Sequence, residues 1–112
     1  MNHDIEIEPA SLEAWLEDSN KKNPRLIDCR EPEERLICHI KESELIPLKE
    51  IESAISEWHS DYKQNFVIYC HHGIRSLQAA QFLREQGFEN AYSLAGGIEK
   101  WAIDIDQELT RY

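Results

Sequence analysis

The chain has 112 residues and a net charge of −10. This length predicts one domain over residues 1–112, and the acidic charge argues against a nucleic acid or an anionic membrane as partner. No apolar run approaches the ~20 residues of a membrane helix, and the first residues do not resemble a signal peptide, so a cytoplasmic protein is expected. The three cysteines, Cys29, Cys38 and Cys70, are too widely spaced to predict a disulfide framework or a zinc site.

Hydrophobic periodicity predicts strands and helices that alternate along the chain. The predicted strands cover residues 4–8, 24–28, 44–46, 66–69 and 91–94. The predicted helices cover residues 10–18, 31–37, 48–58, 77–86 and 98–102, and 103–112 is expected to be a weakly held tail. This alternation is typical of an α/β fold in which helices cover both faces of a parallel sheet.

Polar and reactive residues follow two of the predicted strands. Asp28 ends one strand and is followed by Cys29 and Arg30, while Cys70 follows the strand over 66–69. Reactive groups of parallel sheets lie beyond the carboxyl ends of the strands. The pattern therefore predicts a functional site at this edge of the sheet.

Cys70 opens a polar run, Cys70-His71-His72-Gly73-Ile74-Arg75-Ser76, that leads directly into a helix. Backbone N–H groups and the positive end of the helix dipole stabilise a thiolate at such a position. Gly73 allows the loop to curl into an anion-binding nest, and Arg75 supplies a charge suited to a sulfur or phosphorus oxyanion. The pattern predicts covalent chemistry at Cys70.

The other side chains of this loop carry less specific signals. Ser76 is predicted to be the N-cap of the following helix. His71 and His72 are acid–base candidates, but we favour side chains that point outward while their backbone N–H groups line the nest. Two vicinal histidines alone do not predict a metal site.

Four segments in the right order resemble landmarks of the rhodanese family, over residues 5–102. Residues 26–34, Leu-Ile-Asp-Cys-Arg-Glu-Pro-Glu-Glu, resemble its Asp-x-Arg-Glu-x-x-Glu segment, and residues 67–76 resemble its active-site loop. His39-Ile40 followed by Ile46-Pro47 is similar to a further landmark. Gly87-Phe88 and residues 94–101 are similar to its C-terminal signature.

The resemblance implies a five-stranded parallel sheet between layers of helices and a sulfurtransferase without metal or organic cofactor. Cys70 would be the nucleophile and would alternate between thiolate and persulfide, cradled by the backbone of residues 71–76. Arg75 would close the loop, Arg30 would be a candidate contact for the substrate anion, and Asp28 would brace the loop by hydrogen bonding. The implied partners are a small sulfur donor such as thiosulfate and an acceptor, which is a thiol, cyanide or a protein. The oligomeric state stays open.

Two alternative functions remain in competition. A Cys-dependent phosphatase of the same fold resembles a loop with five residues between Cys and Arg, whereas four separate Cys70 from Arg75. A non-catalytic partner-binding module would be expected to lack the loop cysteine.

The sequence departs from the family pattern at three places. Cys38 stands where Gly is usual before His39, and Lys41-Glu42 replaces the usual Pro-Gly, so the geometry of that turn is in question. Cys29 stands where an aliphatic residue is common. We interpret Cys29 as a small core residue, with a resolving thiol for Cys70 as the alternative.

Overall fold

The computed structural model describes residues 3–58 and 62–112, in which five strands form one parallel sheet. The strands are β1 (Glu6–Ile7), β2 (Arg25–Asp28), β3 (Glu44–Leu45), β4 (Phe66–Tyr69) and β5 (Ala91–Leu94). The helices are α1 (Pro9–Glu17), α2 (Pro32–Ile37), α3 (Ile51–Ile55), α4 (Ile74–Glu85) and α5 (Gly97–Asp104). The strand order is β1-β5-β4-β2-β3, and the predicted α/β architecture is confirmed.

Strand β4 is the centre of the sheet, and all four of its residues are buried. Successive side chains of a strand point to opposite faces. Phe66 and Ile68 accordingly pack in one core layer, under α3 and α4, and Val67 and Tyr69 pack in the other, under α1 and α5. A continuous apolar run of this kind is typical of a strand that is covered on both faces.

Two helices, α3 and α4, start three residues away from the predicted positions. Helix α4 begins at Ile74 because Gly73, with φ 100°, adopts the left-handed conformation and caps it, so the prediction of Ser76 as N-cap is wrong. The segment predicted as one helix over 48–58 is a short 3₁₀ turn, Leu48–Glu50, followed by α3.

The segment after α5 is held more firmly than predicted. Ile105 and Leu109 pack against the core layer under α1 and α5. The Tyr112 hydroxyl donates a hydrogen bond to Glu34 Oε2 at 2.7 Å and accepts one from Arg30 Nη1 at 2.8 Å. The prediction of a weakly held tail is therefore wrong.

The turn between α2 and β3 accommodates its unusual residues in two ways. Cys38 is extended, with φ −166°, which any residue adopts. Glu42 has φ 68°, in the left-handed region that favours glycine. The Ile40 N–H donates to the Tyr69 hydroxyl at 3.1 Å, which ties this turn to the central strand.

Among the described residues, no helix has the length and apolar character needed to cross a membrane.

Candidate active site

Cys70 directly follows β4, and its sulfur lies against the first turn of α4. Its Sγ accepts hydrogen bonds from the N–H of Gly73 at 3.1 Å and from the N–H of Ser76 at 3.4 Å. The Ser76 hydroxyl is also 3.4 Å from the sulfur. Cys70 is only 1% exposed. The strand, the loop and the helix thus enclose the sulfur in a ring of donors suited to negative charge.

Ser76 lies inside α4, where its side chain contacts the Cys70 sulfur and does not cap the helix. Its Oγ is 2.7 Å from Ser93 Oγ, and both residues are buried. Ser93 lies in β5, so the central sheet orients the hydroxyl next to Cys70. Ser93 was not predicted from the sequence, although a polar residue within the apolar segment 91–94 could have indicated a buried hydrogen bond.

The Cys70 thiol is strongly acidified in this environment. Its pKa is lowered to about 4, chiefly because the Cys29 thiol donates a hydrogen bond to the sulfur. Hydrogen bonds from the Ser76 hydroxyl and from the N–H groups of Ser76 and Gly73 act in the same direction, against the effect of burial. The pKa of Cys29 is raised, by the same hydrogen bond and by burial. Cys70 is therefore the group of this pair suited to be a thiolate.

Arg75 and Glu34 form a bidentate ion pair between the loop and α2. Arg75 Nη1 and Nη2 donate to Glu34 Oε1 and Oε2 at 2.7 and 2.9 Å. The hydrogen bonds from Arg75, and then from Tyr112, lower the pKa of Glu34 to about 2. The Arg75 side chain remains 34% exposed, at the rim of the site. Its role as an oxyanion contact stays a prediction.

Arg30 and Asp28 lie beside the site but form a closed, buried unit. Both side chains have no exposed surface, and Arg30 Nε and Nη2 donate to the two Asp28 oxygens at 2.8 Å each. The remaining donors of Arg30 reach Cys38 O and Tyr112 Oη. The prediction that Arg30 contacts a substrate anion disagrees with this geometry, because its donors are already used inside the protein. Asp28 braces Arg30 and also Arg35, which donates to it at 3.2 Å.

The two loop histidines stack on each other, with ring centroids 3.9 Å apart. His71 is half-buried and also stacks on Tyr112 at 3.8 Å, while His72 is exposed. The outward direction predicted for both side chains therefore describes His72 better than His71. Ile74 is 79% exposed at the outer side of the loop.

The first turn of α5 supports the loop. The N–H groups of Ile98 and Glu99 donate to the carbonyl oxygens of Cys70 and His71 at 2.9 and 3.1 Å. A Cβ placed on Gly97 would lie 2.4 Å from the His71 oxygen, so only glycine fits this approach. This support orients the carbonyls of the loop away from the sulfur and leaves its N–H groups to face inward.

The sequence model of the family described as "Rhodanese-like domain" matches residues 8–104. The chain belongs to this rhodanese-like family. It is 32% identical over 101 residues to the thiosulfate sulfurtransferase GlpE of Vibrio cholerae, over 90% of this chain and 91% of that protein. The recognised family resemblance and the five-stranded fold are thus confirmed.

Rhodanese-like relatives occur both alone and within larger proteins. The chain is 35% identical to the probable adenylyltransferase/sulfurtransferase MoeZ of Mycobacterium tuberculosis, over 95% of this chain, but it spans only 26% of that protein. The structure of the human single-domain sulfurtransferase TSTD1 is similar, with a TM-score of 0.77, 27% identity and coverage of 89% of this chain and 96% of TSTD1. These similarities support a sulfurtransferase type of protein.

Proposed function

We propose that this chain transfers a sulfane sulfur from a donor such as thiosulfate, through a persulfide on Cys70, to a thiol, cyanide or an acceptor protein. The observation that carries the proposal is the ring of donors around Cys70 Sγ, formed by the N–H groups of Gly73 and Ser76 and by the Ser76 hydroxyl. This ring favours a thiolate, which is the nucleophilic form of cysteine. The names of the relatives GlpE and TSTD1 support the same chemistry.

The reaction has two balanced steps. In the first, the Cys70 thiolate attacks the outer sulfur of thiosulfate, the S–S bond of the donor breaks, and sulfite leaves with the electron pair. In the second, the acceptor attacks the outer sulfur of the persulfide, and Cys70 leaves as thiolate. Because Cys70 is 1% exposed, side chains around the sulfur must move to admit the donor and the acceptor.

The length of the loop argues against the phosphatase alternative. Four residues separate Cys70 from Arg75, which leaves a small ring that suits a single sulfur better than a tetrahedral phosphate. The intact loop cysteine argues against a purely non-catalytic module.

The test is a side-by-side assay of thiosulfate-to-cyanide transfer and aryl phosphate hydrolysis. We expect sulfur transfer to cyanide and no significant hydrolysis of the aryl phosphate. Thiosulfate treatment of Cys29→Val, which retains the loop, should add the mass of one sulfur atom. Cys70→Ser should abolish transfer, whereas Cys38→Ser, a buried cysteine in the other core layer, should retain it. Undiminished transfer by Cys70→Ser, or hydrolysis that equals transfer, would contradict the proposal.

A further inference from the structure

Cys29 and Cys70 directly follow β2 and β4, two adjacent parallel strands. Ile27 pairs with Ile68 and Asp28 with Tyr69, and the ladder continues because the N–H of Cys29 donates to the Tyr69 oxygen at 3.0 Å. The next pair along this register is therefore Cys29 and Cys70. Neighbouring strands are about 4.8 Å apart, within the range of about 4.4–6.8 Å that Cα atoms of a disulfide span.

Both side chains lie on the same face of the sheet. Cys29 and Cys70 belong to the core layer that also contains Ile27 and Ile68, two residues before them on each strand. Each of the two cysteines directly follows its strand, so their side chains are neighbours within this layer. Cys38 lies in the other layer, so it is not a third member of this pair. Both Cys29 and Cys70 are free thiols in the structure.

We propose that Cys29 is a second reacting thiol of this site, which displaces the sulfane sulfur of the Cys70 persulfide and releases it as hydrosulfide. The proposal rests on the proposed function, which supplies the persulfide. It adds an activity to transfer, namely the release of sulfide from a sulfane donor at the expense of two thiols.

The step is balanced within the protein. A bond forms between Cys29 Sγ and Cys70 Sγ, the bond between Cys70 Sγ and the outer sulfur breaks, and the outer sulfur leaves with the electron pair. The Cys29 proton goes to the leaving sulfur, which departs as HS⁻. The outer sulfur is reduced, and the two cysteines are oxidised to a disulfide, which an external thiol then reduces.

The structure explains why Cys29 is poised for this step only after sulfur uptake. While Cys70 is a thiolate, its interaction with Cys29, together with burial, raises the pKa of Cys29, which therefore keeps its proton. In the persulfide, the negative charge moves to the outer sulfur, and Cys70 Sγ becomes the electrophile next to Cys29. The N–H groups of Gly73 and Ser76 contact the Cys70 sulfur from the loop, whereas Cys29 lies on the side of β2. The loop donors are therefore placed to stabilise the negative charge of the leaving sulfur.

The experiment is a single turnover under anaerobic conditions without added reductant. The reduced protein is treated with one equivalent of thiosulfate, and sulfide release and intact mass are measured, with peptide mapping under non-reducing conditions. We expect nearly one sulfide per chain, a loss of two hydrogens and a Cys29–Cys70 disulfide. The turnover is run at about pH 9, where even an ordinary thiol is largely thiolate. Under these conditions Cys29→Val should still take up the sulfur and should release at least tenfold less sulfide, and Cys38→Val should behave as the unmodified protein.

The outcomes separate this inference from the proposed function. Sulfur uptake by Cys29→Val also shows that the variant is folded, because uptake needs the intact loop. If the unmodified protein and Cys29→Val both retain the persulfide, or both release sulfide equally, the role of Cys29 is overturned while the sulfurtransferase function stands. If none of the three proteins takes up sulfur, the proposed function fails, and the inference fails with it.

Discussion

Arg75 donates one hydrogen bond to each carboxylate oxygen of Glu34, at 2.7 and 2.9 Å. The pair connects the first turn of α4 to α2, and the Tyr112 hydroxyl adds a third donor to the same carboxylate. Bidentate pairs of this kind fix geometry as well as charge. Glu34 therefore holds the arginine of the loop in place at the rim of the site.

Protonation of Glu34 should destabilise the fold at low pH. Its folded-state pKa of about 2 is below the ordinary value of 4.5, so its contribution to stability is present above pH 4.5 and is lost as the pH falls towards 2. We expect the stability difference between the unmodified protein and Glu34→Gln to shrink over this window, by at most about 3 kcal/mol. Urea unfolding at several pH values measures it. Glu33→Gln, an exposed carboxylate of the same helix, is the control, and a pH-independent difference for Glu34→Gln would contradict the expectation.

The thiolate of Cys70 should persist to acidic pH. We expect the ultraviolet absorbance of the thiolate to titrate with a midpoint near the pKa of about 4, and Cys29→Val to raise this midpoint because it removes the strongest contribution. Ser76→Ala should raise it less. Cys70→Ser, which removes the absorbing group, is the control. A midpoint near ~8.5, the value of a free thiol, would show that the donor ring does not act on the sulfur.

Gly97→Ala should impair sulfur transfer although it leaves the Cys70 side chain itself unchanged. Gly97 has φ 62°, and the new Cβ would lie 2.4 Å from the His71 oxygen and 2.6 Å from the Cys70 oxygen, so the loop must shift. We expect a loss of at least tenfold in the rate of persulfide formation. The positive φ alone costs about 1–2 kcal/mol of stability.

Gly87→Ala is the matched control for this experiment. Gly87 also has a positive φ, of 103°, but among residues 3–58 and 62–112 its Cβ would meet the side-chain ring of Tyr62, at 3.2 Å, and no backbone atom. It should lose similar stability in urea unfolding and retain sulfur transfer at temperatures where it is folded. Equal loss of transfer in both variants would indicate a general effect of stability.

Glycine at position 42 should stabilise the protein. Glu42 is exposed and has φ 68°, a conformation that costs an L-residue about 1–2 kcal/mol and costs glycine almost nothing. The greater freedom of glycine in the unfolded chain offsets part of this, so the expected gain is up to about 1 kcal/mol. Urea unfolding measures the gain. Lys41→Gly should give no gain, and stabilisation by that control instead would place the strain elsewhere in the turn.

The sequence predicted most reliably what depends on local pattern. The bounds of β4 and β5 agree with the predicted runs 66–69 and 91–94, because the polar turns on either side of a short apolar segment define where the strand begins and ends. The start of α4 was missed because the positive φ of Gly73 lets the helix begin directly after it. Cys70 at the helix N-terminus followed from the same local pattern.

Contacts between distant residues were beyond the sequence. Glu34 meets Arg75, 41 residues later, and Tyr112, 78 residues later, and no periodicity relates such positions. The burial of Arg30 was missed for a similar reason, since charged residues are rarely enclosed unless they are paired. The sequence predicted that Cys29 and Cys70 lie at the same edge of the sheet. It did not predict that they are neighbours, because the register of β2 against β4 is a property of the folded sheet.

The enclosed pair of Asp28 and Arg30 also limits how this chain can diverge. Removal of Asp28 leaves the Arg30 charge buried and uncompensated, at a cost of about 3–5 kcal/mol. That loss is comparable to the whole stability of many small domains. Removal of Arg30 leaves the buried Asp28 carboxylate to Arg35, whose side chain is partly exposed. The two positions are therefore epistatic: a lineage that substitutes Asp28 must substitute Arg30 almost at once, and single-step drift at Asp28 should be purged even when Cys70 and its loop are unchanged.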